Sequence, residues 1–205
     1  MRVHKTSKAG GRTARLSIVI GGIFFLLTAS LPLPSAGQSD DKKKPEQFSA
    51  TAFGQGGMFA GKSVSLNIYI SDYSSDQEVE ELAGILKTKG SDALLQAVQK
   101  IKEKGKVATT GRVGWNVPII RQHPTEKGRR IVMFSDRPIS FYEASTAPRS
   151  RTYEFGMLVL DLDDKGEGTG LLYGACKVKF TKDDQLQVEH YGQAPARLAA
   201  VKVWK

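Results

Sequence analysis

Ser63-Val64-Ser65-Leu66-Asn67-Ile68-Tyr69-Ile70-Ser71 decides the fold class. Val64, Leu66, Ile68 and Ile70 fall on one side of an extended chain. Ser63, Ser65, Asn67, Tyr69 and Ser71 fall on the other. This period of two marks a strand with one face buried and one wet. The period then changes to that of a helix. Ser75 and Glu78 stand at capping-box spacing. Val79, Leu82, Ala83 and Leu86 follow at i, i+3, i+4 and i+7. Gly90 supplies a left-handed stop. Ser91 restarts the pattern as an N-cap with Asp92 in the first turn. Leu94, Ala97, Val98 and Ile101 repeat the stripe until Gly105, and Lys100, Lys102 and Lys104 suit the negative pole of that helix. Two helices are predicted, forming a hairpin over the apolar face of the sheet.

Working outward, the rest of the chain reads as strand and turn. Val117 to His123 and Arg129 to Ser135 flank a predicted five-residue hairpin loop, Pro124 to Gly128. Ser145 to Ser150 is loop-like. Tyr153 to Leu162 is apolar on both faces, as in a doubly covered strand. Asp163 to Gly168 turns the chain back, after which Leu172, Cys176, Val178 and Phe180 are placed on one face. Leu186, Val188 and His190 alternate with polar neighbours, and a last strand runs from Ala196 to Trp204. Short links between consecutive strands imply antiparallel pairing. The predicted class is α+β, a mainly antiparallel sheet with a two-helix hairpin packed on it, in one domain over 48–205.

Upstream of that domain, Arg2, Lys5, Lys8, Arg12 and Arg15 precede the apolar run Leu16 to Leu31. Pro32-Leu33-Pro34 breaks the run, and Ser35-Ala36-Gly37 follows. A charged start, an apolar centre and a small-residue exit are the parts of a secretory signal, so 1–37 is expected to be a signal peptide. If uncleaved, it would be the chain's only membrane attachment. Export to the periplasm or the medium is the expected outcome. Residues 38–47, polar and charged with Pro45, are expected to form a flexible tail. The chain has 30 basic and 21 acidic residues, net +9. The leader holds five of the basic residues and no acid, so the remainder is near +4 and its cations are dispersed. Nucleic-acid binding calls for a basic stripe that this chain lacks. A single cysteine, Cys176, excludes an internal disulfide, leaving the hydrophobic core to hold the domain.

Several motifs imitate chemistry. Gly56-Gly57-Met58-Phe59-Ala60-Gly61-Lys62-Ser63 satisfies the phosphate-binding pattern G-x-x-x-x-G-K-[ST], and Met157 to Asp161 resembles its apolar partner strand. Phosphate binding requires the loop to open a helix. This one opens the alternating strand, so no nucleotide is expected. Asp161-Leu162-Asp163-Asp164-Lys165-Gly166 imitates a calcium loop, with Lys165 and Leu172 where ligands belong. A charged turn is expected, with at most weak calcium contact through Asp161, Asp163, Asp164 and Glu167. Outside the leader only His123 and His190 remain, so no three-His zinc site exists. His123 reads as a surface residue, His190 as a semi-buried ring, and Cys176 as an inert core thiol. Asp72, Asp136, Glu143 and Glu154 are the acids with a chance of pairing in space. Tyr69, Tyr73, Trp115, Phe141, Tyr142, Tyr153, Tyr191 and Trp204 are mostly core, with a fraction available to line a ligand groove.

The succession of Ile70 to Ser75, a helical hairpin ending at Gly105, Asp136-Arg137-Pro138-Ile139-Ser140-Phe141 and Tyr153-Glu154-Phe155-Gly156 resembles uncharacterised exported bacterial proteins. That resemblance implies export and a compact domain, and carries no assigned activity. With catalytic residue types scarce, no catalytic residue, cofactor or metal is assigned. The expectation is a non-enzymatic domain that binds a small ligand or an envelope protein. The alternative is an exported hydrolase or isomerase using paired carboxylates, or His123 with an acidic neighbour. Convergence of Asp136, Glu143 or Glu154 on His123 would favour the alternative. A structural envelope protein without a ligand site is the third reading.

Overall fold

In the computed structural model, residues 18–19, 45–55, 60–139, 153–181, 183–190 and 194–204 are described. Their strands are β1 (Ile18–Val19), β2 (Glu46–Phe53), β3 (Ser63–Ile70), β4 (Gly105–Thr109), β5 (Trp115–Val117), β6 (Ile119–Thr125), β7 (Gly128–Ser135), β8 (Phe155–Asp163), β9 (Gly168–Phe180), β10 (Leu186–His190) and β11 (Ala196–Val203). Helices α1 (Asp76–Lys89) and α2 (Ser91–Val98) separate β3 from β4. The strands follow the order β5-β4-β3-β2-β11-β9-β8-β7-β6, and every pairing is antiparallel. β10 adds to β9, and β1 pairs with β10 inside the run expected to be a signal peptide. Sheet dominates the fold, with two helices beside it.

The sheet curls into a nearly closed barrel. One buried cluster draws residues from all nine strands of the main path, including Phe48, Leu66, Ile68, Val107, Trp115, Ile120, Ile131, Leu160, Leu172 and Leu198. The seam between β5 and β6 is laced by the segment leaving β3. Ser71 N–H donates to the Lys104 carbonyl at 2.8 Å, and Ser74 N–H donates to that of Ile120 at 2.7 Å. Arg121 Nη1 donates in turn to the Ser74 carbonyl at 2.8 Å.

The apolar face of β3 lines this interior, so the hairpin does not cover it, contrary to expectation. Leu82, Leu86, Leu94 and Val98 instead meet the outer side of the barrel, against Val132, Phe155, Met157, Val159, Tyr173, Cys176, Val178 and Val188. β8 is therefore buried on both faces, as its sequence requires. Helix α1 starts where the spacing predicts: Ser75 Oγ accepts from Glu78 N–H at 3.2 Å. Glu78 does not complete the box but pairs with Lys104 at 3.3 Å.

Other boundaries differ for local reasons. α2 ends at Val98, and Gly105 opens β4 rather than stopping a helix. A Cβ on Gly105 would lie 2.3 Å from the Tyr69 carbonyl oxygen, so close backbone approach explains this glycine. The strand expected over Val117 to His123 breaks at Pro118, which has no N–H to donate. β6 and β7 are joined through Thr125 and Gly128 around a two-residue turn, not a five-residue loop. Pro124 is tolerated inside β6 because β6 ends the sheet path. β2 begins at Glu46, two residues ahead of the expected domain start, because Glu46 pairs across to Ile70 and Gln47 to Tyr69. A bulge in β9 between the Tyr173 and Cys176 pairings reverses the alternation. Leu172 therefore faces the barrel, while Cys176 and Val178 face the helices, rather than all sharing one side.

Candidate functional site

The barrel interior is filled by side chains, which directs attention to its ends and outer faces. At one end, two inward positions are polar. Glu46 continues the phase of Phe48 and Ala50, and Arg129 that of Ile131 and Met133. Arg129 Nη2 pairs with Glu46 Oε2, and its Nη1 donates to Gln122 Oε1 at 3.0 Å. Tyr73 Oη donates to Glu46 Oε1 at 2.7 Å. Burial, then the Glu46 carboxylate, pushes the Tyr73 phenol well above its ordinary 10.0. These groups satisfy one another and close the barrel end. Sequence reasoning named Tyr73 only as an aromatic and missed Glu46 and Gln122. Charged or amide residues in phase with an apolar stripe were the available signal.

The outer surface divides into two unlike halves. The side carrying the hairpin holds an open groove of about 380 Å³ between the α1–α2 junction and β9, lined by Lys87, Lys89, Ser91, Asp92, Lys177 and Lys179 among others. Lys87 pairs with Asp184 at 2.7 Å and lies 4.7 Å from the Phe180 ring centroid. Lys179 pairs with Glu189. At the groove's edge Ser91 Oγ donates to Glu154 Oε2 at 2.7 Å. Burial raises the Glu154 carboxyl above its ordinary value. A hydrogen bond with Asp92 and the charge of Asp92 raise it further, while Ser91 and Lys177 oppose the shift. This is a carboxyl pair, and Asp92 is the member the sequence reading assigned only to helix capping.

The opposite half is uncovered among the described residues. Here β4, β3, β2 and β11 turn outward Lys106, Ser63, Ser65, Asn67, Tyr69, Gln47, Ser49, Thr51, Phe53, Arg197, Ala199 and Lys202, while Ala108 shares this side but is buried beside Gly114. Register aligns them in rows: Asn116, Lys106, Tyr69, Gln47; then Ala108, Asn67, Ser49, Lys202; then Ser65, Thr51, Ala199; then Ser63, Phe53, Arg197. Trp204 N–H donates to the Gln47 carbonyl at 2.8 Å, extending the first row by a fifth position. No outward residue of these rows is acidic, and three are cationic.

The remaining expected residues are accounted for as follows. Ser63 opens β3, and Gly54 N–H donates to the Lys62 carbonyl at 3.0 Å. The phosphate-loop imitation is thus a β2–β3 hairpin connection, of which 56–59 lie outside the described residues. Asp161 is held by Arg130 at 2.5 and 3.0 Å. Asp163 Oδ1 accepts from Lys165 and Glu167 N–H, both at 2.9 Å, so the calcium-loop imitation is a self-bonded hairpin turn. Among the described residues no three His, Cys, Asp or Glu side chains gather as a metal site, and no helix is long and apolar enough to cross a membrane.

His123 stands opposite Arg130 at one end of the β6–β7 ladder, whereas Asp136 follows the other end and Glu154 precedes Phe155 there. These acids do not converge on His123. Its acidic neighbour is Asp76, which is paired with Arg121. Asp72 is exposed, and its Oδ1 accepts from Tyr73 N–H at 2.8 Å. Trp115 is core, and His190 tilts against the Tyr173 ring at 6.1 Å. Glu143, Phe141, Tyr142 and Tyr191 lie outside the described residues. Cys176 is fully buried, and burial pushes its thiol up to about 12, which removes the thiolate a nucleophile needs.

Burial, then the charge of Arg121, lowers the His123 imidazole below 6.5. A lowered folded value means that the unfolded chain binds the proton more readily. The stability is then complete above about pH 6.5 and is lost as pH falls through the folded value. His123→Gln is expected to flatten that part of the stability–pH curve, measured by urea unfolding between pH 4.5 and 7.5. An unchanged slope would exclude this histidine as its source. No family model, curated protein or solved structure matches the chain.

Proposed function

We propose that the chain is an exported, non-enzymatic binding domain of the cell envelope or its exterior, acting through the uncovered face of β4, β3, β2 and β11. The leader's charge and apolar pattern support the export. The observation that supports the binding surface is the contrast between the barrel's two outer halves. One is sealed by apolar contacts to the helices, while the other presents ordered rows of hydroxyl, amide, aromatic and cationic groups with no acid among them. A sheet face that needed only solvation would mix both signs of charge, as soluble surfaces do.

The test pairs two blocking substitutions with a panel of polysaccharides, anionic vesicles and peptides. Thr51→Glu with Ser65→Gln fills the centre of the face with longer side chains and an opposing charge, and is expected to abolish whatever binding the unaltered protein shows. Glu154→Gln leaves that binding intact. Equal binding by the blocked variant would place the surface elsewhere.

A second reading, an exported hydrolase or isomerase, is favoured by the Glu154–Asp92 pair alone. A carboxyl raised by burial and by a second carboxyl beside it suits general acid–base work. The groove beside them is open to solvent, however. Turnover that disappears in Glu154→Gln would replace the binding reading with this one.

A further inference from the structure

We infer that the ligand of the uncovered face is an acidic polysaccharide, an inference that rests on that face being the binding surface. Each residue type on the face has a counterpart in such a chain. Trp204, 55% exposed, and the half-buried Tyr69 offer aromatic faces against which the C–H side of a sugar ring stacks. Gln47 lies between them in one row, so the two rings are two interstrand steps apart, roughly 10 Å. Two linked hexose units span such a distance. Alternation past Lys202 and Val203 places Trp204 on the outward side with Lys202.

The next two rows supply Ser49, Thr51, Ser65 and Asn67, side chains that both donate and accept hydrogen bonds. Sugar hydroxyls do the same, so the match holds without one required orientation. Lys106, Lys202 and Arg197 surround these groups, and the rows carry no carboxylate to repel an anion. Carboxylate, sulfate or phosphate substituents on the glycan complement that charge.

Other partners fit less well. A protein interface centres on a contiguous apolar patch, whereas here Phe53 (43% exposed) and Trp204 stand at opposite ends with hydroxyls between them. A bilayer surface takes a cluster of basic residues beside apolar side chains that insert together, and the cations here are spread over three rows.

The experiment measures binding of the purified protein to polygalacturonate, dextran, polyglutamate and phosphatidylglycerol vesicles by titration calorimetry and co-sedimentation. Polygalacturonate is expected to bind, and dextran and polyglutamate at least about tenfold more weakly. Trp204→Ala and Tyr69→Ala should each weaken polygalacturonate binding about tenfold, a change of roughly 1.4 kcal/mol. Trp204→Tyr, which keeps a stacking ring, should stay within about threefold. Lys106→Gln combined with Lys202→Gln should weaken binding and flatten its salt dependence. Both rings are reachable from solvent, and unchanged thermal melts would confirm that the variants stay folded.

Equal affinity for polyglutamate would reduce the contact to charge, and equal affinity for dextran would remove the need for acid groups. Preference for vesicles, or no binding to polygalacturonate, would overturn the inference outright. If another probe binds and Thr51→Glu with Ser65→Gln abolishes it, the surface stands and only its ligand is wrong. If binding survives that blocking pair, the surface itself fails.

Discussion

Leu160→Ala is expected to lower the unfolding free energy by about 2–5 kcal/mol, read as a shift of the urea midpoint at constant slope. Leu160 is fully buried at the centre of β8, and its row across the barrel wall runs Ile131, Leu160, Gly170, Leu198. Large side chains flank a glycine there, and a Cβ on Gly170 would stand 3.1 Å from Leu160 Cδ2 and 3.2 Å from Leu198 Cδ1. Leu160 thus covers space that β9 leaves empty, and truncation opens a cavity with no neighbour able to fill it.

Gly170→Ala does not rescue that cavity. Its nearest obstacle is the Val159 carbonyl oxygen at 2.3 Å, which is backbone and cannot swing aside. Gly170→Ala alone is expected to destabilise the fold, and the double variant to be no more stable than Leu160→Ala. Recovery in the double variant would show that side-chain crowding, rather than the carbonyl, keeps this position glycine.

What the sequence disclosed and what it withheld separate along a physical line. Local periodicity is written in the residues, so the alternation of β3, the Ser75 cap and the two-faced burial of β8 are all readable from spacing alone. Curvature is not local. The stripe Leu66, Ile68, Ile70 specifies a buried face but not what buries it, and a barrel closing on itself satisfies that stripe as well as a helix does. The bulge in β9 is hidden for a related reason. Leu172 and Cys176 have the spacing of one face, and only the pairing with Met157 and Phe155 reveals the inserted residue. The break at Pro118 is legible, since a proline inside a predicted strand already argues for one.

The candidate surface is less legible than the fold. Its residues are ordinary one by one: serines, threonines and a lysine on the wet side of strands. They become a surface only when register sets Tyr69 beside Gln47 and Gln47 beside Trp204, from segments far apart in the chain. The Glu154–Asp92 pair shows the same limit, because the two acids are brought together by α2 resting against the start of β8. Absence of acid from the rows is countable only once register fixes which residues share a side.

Arg129→Met is expected to cost about 1–3 kcal/mol, and to cost less when Glu46→Gln is already present. The guanidinium binds both oxygens of Glu46, reaches Gln122 at 3.0 Å and lies over the Phe48 ring at 6.0 Å. Removing it leaves a part-buried carboxylate with the Tyr73 hydroxyl as its remaining partner within this cluster. Breaking a fully buried pair costs about 3–5 kcal/mol. Here the two side chains keep 30% and 22% of their exposure, so water recovers part of that loss. Glu46→Gln keeps an acceptor for Tyr73 and removes the charge that Arg129 compensates. Once it is in place, Arg129→Met strands no anion. A double-mutant cycle in urea should therefore give a coupling of about 0.5–3 kcal/mol, and Tyr73→Phe should cost less, though not nothing, in the Glu46→Gln background, where its acceptor is uncharged. Strict additivity would mean that these groups are neighbours at the barrel end without acting as one plug. Retention of the coupling at high salt would mark it as a shielded contact rather than a surface ion pair.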